Sequence, residues 1–359
     1  MVARQAYARA NVLIEEIDRL VRDRSASDLL ERRPSPLAPA NWSVAWSELQ
    51  LYFTKILIDT RQNLTARGVA DTYLTDQVYP AAVLALAALV VPLAFGHLGL
   101  VRIERRISSA AGSSRLVFNA AVVHLLRLIL SSAGAGLLLA SYIMLELGPT
   151  TTENLSGAIV AGTIIFVLAN WLGNILFAPH QPAIRLVGLS NGLARASYWL
   201  GIAFAVALSF EALVDGVGDD FALSLQSQSV LEWLSIVLSC VVLGWLARVL
   251  LAIAAEQRQG VSMPDDGHLP AAGLLEFMAR IMQLLAFASL LAGAIGYVPG
   301  ARAGLGPIML SFVLFGLVYV LHHATLVPLR VALGAASSGL AAVSALFGLA
   351  LILLSVPLL

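Results

Sequence analysis

The chain has 359 residues, of which 59% are hydrophobic and 12% are charged, with 22 basic against 22 acidic side chains. Soluble domains carry roughly a quarter charged residues, so this composition excludes an ordinary soluble globular protein. The net charge of zero argues against a nucleic-acid partner, which would require a basic surface. The charges are concentrated at one end of the chain, because residues 1–77 hold 20 of the 44.

The charged first part, residues 1–77, predicts a helical module that lies in water. Over residues 2–33, apolar side chains recur at helical spacing between charged ones, which is typical of an amphipathic helix that packs on a partner helix. The proline-rich run at 34–39 ends this helix, since proline removes a backbone donor and disfavours helix in the residue before it. A second helix is expected to begin near Asn41, so the module is a helical hairpin, coiled-coil-like, or part of a longer helical bundle.

Residues 78–359 predict a transmembrane helical domain of about eight spans. Each apolar run is near the ~20 residues that cross ~30 Å of hydrocarbon as a helix. Backbone groups in a bilayer must be satisfied within the segment, and β-alternation is absent, so the runs are predicted as helices and the fold class as all-α. The runs lie near residues 79–99, 120–145, 156–178, 193–213, 229–252, 274–297, 304–321 and 340–359.

The placement of arginine predicts the orientation of these spans. Ten arginines fall in one alternating set of connecting segments and one, Arg302, falls in the other set. Basic loops stay in the cytoplasm, so the N-terminal module is expected outside, in the periplasm of a bacterial inner membrane. The basic set is 101–119, 179–195, 248–280 and 322–339, and the other set is 146–155, 214–228 and 298–303.

Polar and small residues within the runs are the candidate functional positions. Polar groups are costly in a bilayer, and small residues let two helices approach closely. For the asparagines, which are four residues apart on one helical face, interhelical hydrogen bonding is favoured over a substrate contact, and for the glycines packing is favoured over a pore lining. The candidate helix-packing or gating residues are Gly134, Gly136, Asn170, Asn174, Gly334 and Gly339.

Motifs for catalysis are not found in the sequence. HExxH, G-x-S-x-G, a P-loop and a Cys/His cluster are all absent, so no enzyme activity, catalytic residue, cofactor or metal is predicted. The one cysteine, Cys240, lies within an apolar run and is interpreted as a small buried apolar residue.

The first 50 residues resemble a known group of membrane proteins. The stretches Arg9 to Asp18 and Leu29 to Arg32, and above all the run Arg32 to Trp42, look like the periplasmic region of large bacterial small-conductance mechanosensitive (MscS-like) channels. That run has the pattern Arg-x-Pro-Ser-Pro-Leu-x-Pro-x-x-Trp. The spans that follow, with their basic inner loops, are similar to the accessory membrane helices of the same family, although there the similarity rests on architecture.

The resemblance implies that the protein senses bilayer tension and releases solutes after osmotic downshock. It implies the lipid bilayer as partner and a homo-oligomer, specifically a homoheptamer. Family members place a Gly/Ala-rich pore helix and a cytoplasmic β-rich chamber after such a region, and this chain ends before either, so no pore residue is assigned. Because there is no signal peptide at Met1 and the chain stops within the apolar run that ends at Leu359, a fragment without the conducting pore is expected.

Two other function classes stay open at this point. A secondary transporter would commonly show duplicated halves with paired broken spans, and the sequence shows neither. A membrane scaffold would use the outer helices of residues 1–77 to bind a partner. Substrate-dependent uptake would indicate the transporter, and loss of a co-purified partner on deletion of residues 1–77 would indicate the scaffold.

Overall fold

The computed structural model describes residues 29–66, 74–91, 113–144, 153–179, 187–259 and 271–333, together with residues 16, 27, 72, 182 and 185. All regular secondary structure within these ranges is helical, which confirms the all-α prediction. The helices are α1 Pro39–Ala66, α2 Tyr79–Val91, α3 Ser113–Met144, α4 Glu153–Phe177, α5 Asn191–Phe221, α6 Leu225–Arg258, α7 Ala272–Ile295 and α8 Val298–Leu333, and a π-helical turn, Leu74–Val78, leads into α2.

Five of the described helices are long and apolar enough to cross a membrane: α4, α5, α6, α7 and the Val298–Val318 part of α8. A shorter apolar stretch, Leu128–Met144, lies in α3. These helices indicate a membrane protein. The first seven predicted runs fall on α2 to α8, and the eighth, near 340–359, lies outside the described residues, so the total of eight spans stays a prediction.

Several helices extend beyond the apolar run that predicted them, because polar caps fix their ends. The Ser190 side chain accepts a hydrogen bond from the Leu193 N–H and begins α5 two residues before the predicted run. Ser224 begins α6 in the same way, by accepting from the Ser227 N–H. At the end of α7 the cap has the opposite effect, because Gly296 adopts a left-handed conformation with φ of 110°, without steric cost for glycine, and ends the helix two residues before the end of the predicted run.

Consecutive spans run antiparallel and form two close hairpins, α4 with α5 and α6 with α7. Small residues allow the approach in each: a β-carbon added at Gly173 would lie 3.1 Å from the Tyr198 ring, and one at Gly293 would lie 3.1 Å from Trp233. The centre of the bundle is apolar, and Leu243 of α6 is fully buried there. Cys240 is also buried, as expected, and its thiol lies 3.1 Å from the Ala286 carbonyl oxygen.

The two ends of the bundle differ in charge. The end at which α5 and α7 begin and α6 finishes, here called the basic end, carries the described residues Arg195, Arg248, Arg258 and Arg280 against Glu256 and Glu276, the latter paired with Arg258. The opposite end, here called the acidic end, carries Glu211, Asp215, Asp219, Asp220 and Glu232, with Arg302 among them. Because consecutive helices are antiparallel, charges that lie in alternate connecting segments of the sequence come together at one end of the bundle.

The N-terminal module meets the acidic end. Glu16, Ser27 and Leu29 are helical, but the chain from Glu31 to Ser35 is not. The first helix therefore ends before residue 33, the end predicted from the sequence. The physical reason is that the Arg33 backbone N–H donates to the carbonyl of Gly296, directly after α7, rather than to a carbonyl of its own helix. The second helix, α1, begins at Pro39, two residues before the predicted start.

Candidate functional site

The charges of the bundle mark the two edges of a membrane-spanning slab. Charge-free stretches occupy 196–210 in α5 and 233–247 in α6, and each is about 22 Å long at 1.5 Å per residue. Glu211 and Glu232 directly follow and precede these stretches at the acidic end. Because the hydrocarbon core is ~30 Å thick and arginine side chains reach outward to the headgroups, both glutamates lie near one membrane boundary.

At this acidic boundary residues 29–38, here called the docking segment, lie against α6, α7 and α8. Nη1 of Arg33 donates to both carboxylate oxygens of Glu232, at 3.0 and 3.1 Å. The two side chains are 17% and 16% exposed, so the ion pair is largely withdrawn from water. Removing one partner from such a pair leaves an uncompensated charge, which makes the contact costly to break from one side.

Two glycines at the α7–α8 junction make room for the backbone of the docking segment. A β-carbon at Gly296 would lie 2.3 Å from the Arg33 carbonyl oxygen, and one at Gly300 would lie 2.6 Å from the Leu29 carbonyl oxygen. The Arg33 N–H donates to the Gly296 carbonyl at 2.9 Å, and the Ser35 hydroxyl donates to the Ala294 carbonyl at 2.7 Å. The main chain therefore fits directly against the junction, and a side chain at either glycine would displace it.

A closed turn connects the docking segment to α1. The Asn41 amide donates to the Ser35 carbonyl at 2.8 Å, and the Trp42 indole N–H donates to the Pro36 carbonyl at 2.7 Å. Pro36 is buried, and the Trp42 ring meets Trp233 of α6 edge to face with a centroid separation of 6.4 Å. The prolines and these bonds hold the turn in one shape against α6.

Beyond the turn, α1 packs along the outer end of α6 and reaches the end of α5. The Glu48 carboxylate accepts from the Ser224 N–H at 3.1 Å, and the Tyr52 hydroxyl lies 3.5 Å from the Asp220 carboxylate. Burial disfavours ionisation of Glu48, but hydrogen bonds from Ser227 and Ser224 outweigh burial and lower its pKa. Burial first, and then the Asp220 charge, raise the pKa of Tyr52 to about 12.

A second charge cluster joins α8 to α5 at the same depth. Arg302 donates through Nε to Glu211 at 2.7 Å and through Nη1 to Asp215 at 2.6 Å. Asp220 accepts from the Asn154 and Leu155 N–H groups at 3.1 and 2.9 Å, which ties the end of α5 to the start of α4. The acidic end therefore holds several polar contacts between helix ends, and the docking segment and α1 attach there through contacts of their own.

Four of the six predicted site residues fall on described residues, and two of them line one groove. Gly134 and Asn170 line an apolar groove of about 480 Å³ between α2, α3, α4 and α5. The Asn170 Oδ1 accepts from the Tyr198 hydroxyl of α5 at 2.8 Å, an interhelical hydrogen bond of the kind favoured from the sequence. Asn174 donates within α4 to the Asn170 carbonyl, at 2.7 Å.

The remaining candidates have no described contact that assigns them a role. A β-carbon at Gly136 would meet nothing within 4 Å among the residues that the structure describes, so its packing role stays a prediction. Gly334 and Gly339 lie outside the described residues.

The residues that form the acidic-end network were not among the candidates from the sequence. In the sequence Glu211 and Glu232 lie near the ends of predicted spans, where an interfacial charge is ordinary, and Arg33 falls within the run Arg32 to Trp42 that carries the family resemblance. Arg33 and Glu232 are 199 positions apart, so no spacing rule connects them. One signal for this contact was available in the sequence. Glu232, at the start of a predicted span, and Arg33, next to the proline-rich run, were both predicted on the same side of the membrane.

The comparisons with known proteins concern the same part of the chain. Residues 2–56 match a family described as a protein of unknown function, DUF3772. No curated protein and no solved structure matches the chain. The matched range includes the docking segment and the first two-thirds of α1, so it coincides with the module that attaches to the acidic end.

Proposed function

We propose that this protein is a tension-coupled accessory membrane part of a small-conductance mechanosensitive channel, which releases solutes on osmotic downshock. The observation that carries the proposal is the position of the run Arg32 to Trp42. This run has the closest resemblance to that channel family, and it contacts α6 through Arg33 and the end of α7 through Arg33 and Ser35. A segment built to transmit force between an outer module and membrane helices would need such contacts.

Three helix ends, those of α6, α7 and α8, lie under the docking segment. Membrane tension favours the state with the larger in-plane area, and it thins the bilayer, so lipid-facing helices change their tilt and separation. The docking segment bonds to Glu232 of α6, to Ala294 and Gly296 at the end of α7, and touches Gly300 of α8. Any relative movement of these ends must strain or break the segment's contacts, which makes it a mechanical connection.

The proposal includes a location and an assembly. The basic end would face the cytoplasm and the acidic end, with residues 1–77, the periplasm of a bacterial inner membrane, because arginines are retained inside. A homo-oligomer, a homoheptamer by family resemblance, would provide the axis around which a pore forms. Support for a membrane location comes from the five apolar helices and from their many exposed apolar side chains, such as Val241 at 61% exposure.

Osmotic downshock of cells that lack their own channels of this type tests the proposal. As an accessory part to which no pore residue is assigned, residues 1–359 should not conduct by themselves. The full-length gene that contains them should restore survival, and membrane patches from these cells should show tension-gated currents. A variant with Gly300→Ala should shift the tension threshold, whereas the matched control Gly306→Ala, with nothing within 4 Å of the added carbon, should not. Absence of rescue and of currents, with the protein present in the membrane, would exclude the channel role.

One observation bears on the transporter alternative. The groove between α2 and α5 lies at mid-span and has a volume of about 480 Å³, within the usual size range of small-molecule sites. Its lining is mostly apolar, and three of its polar side chains, Thr163, Asn170 and Ser209, already bond within the protein. A charged or strongly polar solute would find few partners there. Substrate-dependent uptake into vesicles would favour this alternative over the channel.

A further inference from the structure

Large apolar side chains are exposed where the docking segment passes into α1. Leu37 is 58% exposed, Trp42 40% and Trp46 65%. The Trp46 indole N–H donates to none of the described residues, whereas the Trp42 indole N–H is bonded to Pro36. Exposed apolar patches of this kind mark surfaces that contact another protein or a membrane.

The depth of this surface is set by its contacts. Trp42 meets Trp233, the first residue of the charge-free stretch of α6, and Trp245 lies near the other end of the same stretch. Tryptophan concentrates at both membrane–water interfaces, where the apolar ring and its N–H are both accommodated. Ser35 bonds to Ala294 near the end of α7, which holds Leu37, two residues on, at the same edge. The exposed surface therefore lies at the membrane boundary.

The rest of α1 leads away from this boundary. Glu48 contacts Ser224, just outside the first residue of α6, and the Tyr52 ring lies 5.5 Å from Phe221. Phe221 is ten residues beyond Glu211 in α5, which is about 15 Å farther out along the helix. Leu57, although it is 67% exposed on the same stripe as Trp46, is therefore too distant to reach the same lipid layer.

We propose that Leu37, Trp42 and Trp46 form an anchor that inserts into the phospholipid interface at the acidic end. Lipid is the committed partner because apolar side chains at the same depth already face outward from α7, where Gly293 packs on Trp233: Leu291 is 46% exposed and Ile295 is 53% exposed. Trp46 would lie about 6 Å above Trp42 along α1, where its free N–H can donate to headgroup or ester oxygens. The inference does not depend on the channel role, because it concerns only depth in the bilayer.

Spin-label accessibility measures this depth directly. A single cysteine replaces Trp46 or Leu37 in the full chain, in a Cys240→Ala background. Each variant is labelled with a nitroxide and reconstituted into phosphatidylethanolamine–phosphatidylglycerol vesicles. Collision with oxygen, which concentrates in lipid, is compared with collision with a water-soluble nickel chelate. Labels at Val241, exposed at the middle of α6, and at Leu57, on the same stripe of α1, provide the lipid and non-lipid references.

The expected result is oxygen-dominated accessibility at positions 37 and 46, on the side of position 241, with position 57 on the opposite side. Nickel-dominated accessibility at both 37 and 46 would show a surface in water and overturn the proposal. Low accessibility to both reagents would show that protein, such as residues 2–28 or a second copy of the chain, covers the surface, which also overturns it. The exposure of both side chains means that these cysteines remove little packing, and the label at 241 reports insertion of each preparation.

Discussion

Replacing Gly300 by alanine tests whether the docking segment is held by its fit at the α7–α8 junction. The added β-carbon would lie 2.6 Å from the Leu29 carbonyl oxygen, well inside van der Waals contact, and the nearest atoms belong to backbone that cannot rotate away. Gly306, on the same helix, has no atom within 4 Å of an added β-carbon. Gly306→Ala is therefore a matched control that changes helix propensity without a clash.

The two substitutions should have opposite effects. Alanine in a helix interior is favoured over glycine by about 1 kcal/mol, so Gly306→Ala should leave the docking segment unchanged and slightly stabilise α8. At Gly300 the helix gain is the same whether the segment is docked or not, so the overpacking cost of about 1–3 kcal/mol falls on docking alone. The docked state of the segment is therefore destabilised by this amount. At 1.4 kcal/mol for each factor of ten, the undocked state should be populated about 5- to 150-fold more often.

Hydrogen exchange measured by mass spectrometry, on protein in detergent or nanodiscs, reads out this opening. The Arg33 N–H is protected by its 2.9 Å bond to the Gly296 carbonyl, so the peptide that contains residues 31–35 reports docking. Faster exchange there in Gly300→Ala, with exchange in α4 unchanged, is the expected pattern. Equal exchange at residues 31–35 in Gly300→Ala, Gly306→Ala and the parent protein would refute the steric argument.

The remaining predictions concern the ion pair, an acid-dependent contact and the orientation. Glu232→Gln keeps the side-chain shape but leaves the Arg33 guanidinium without its counter-charge. Docking should therefore weaken by about 1.5–3 kcal/mol, which is measured as faster hydrogen exchange at residues 31–35. Unchanged exchange at these residues would contradict a stabilising role of the ion pair. Because the pKa of Glu48 is lowered in the folded state, its stabilisation is present above the ordinary carboxyl pKa and is lost as pH falls through the lowered value. In detergent, the melting temperature of Glu48→Gln should therefore fall less steeply than that of the parent protein as the pH is lowered. An equally steep fall would show that Glu48 does not cause the loss of stability in acid. Cysteines at Ser27 and Ser113 in a cysteine-free background should react from outside and inside the cell respectively, and reversed labelling would refute the orientation.

The sequence predicted the helices well because hydropathy reports directly on what a bilayer requires. A run of about 20 apolar residues has few alternatives to a spanning helix, and the predicted runs lie on α2 to α8 as far as the structure describes them. The ends were less accurate for a physical reason. α6 continues from Leu225 to Arg258, beyond the apolar run near 229–252, because a serine cap and polar helix ends are stable in the interface, where hydropathy gives no signal.

The candidate site could not be predicted in the same way, because its contacts join distant parts of the chain. The face shared by Asn170 and Asn174 follows from their spacing, but the partner of Asn170, Tyr198, lies on another helix. Arg33 and Glu232 show the same limit more strongly. Each has an ordinary interpretation alone, and only the antiparallel packing of α6, α7 and α8 brings the carboxylate to the place where the docking segment passes.

The docking contacts also give a physical account of the motif that carried the family resemblance. A linker that only tethered an outer module would gain nothing from three prolines, a hydroxyl and a tryptophan at fixed spacing, and flexible polar residues would serve as well. Ordering a free segment costs about 1–2 kcal/mol per residue, and proline reduces that cost by restricting the unbound chain. Pro34, Pro36 and Pro39 therefore leave more of the free energy of the Arg33 and Ser35 contacts for holding the segment in place. A rigid segment of this kind transmits displacement between the module and the helix ends, whereas a flexible tether would absorb it.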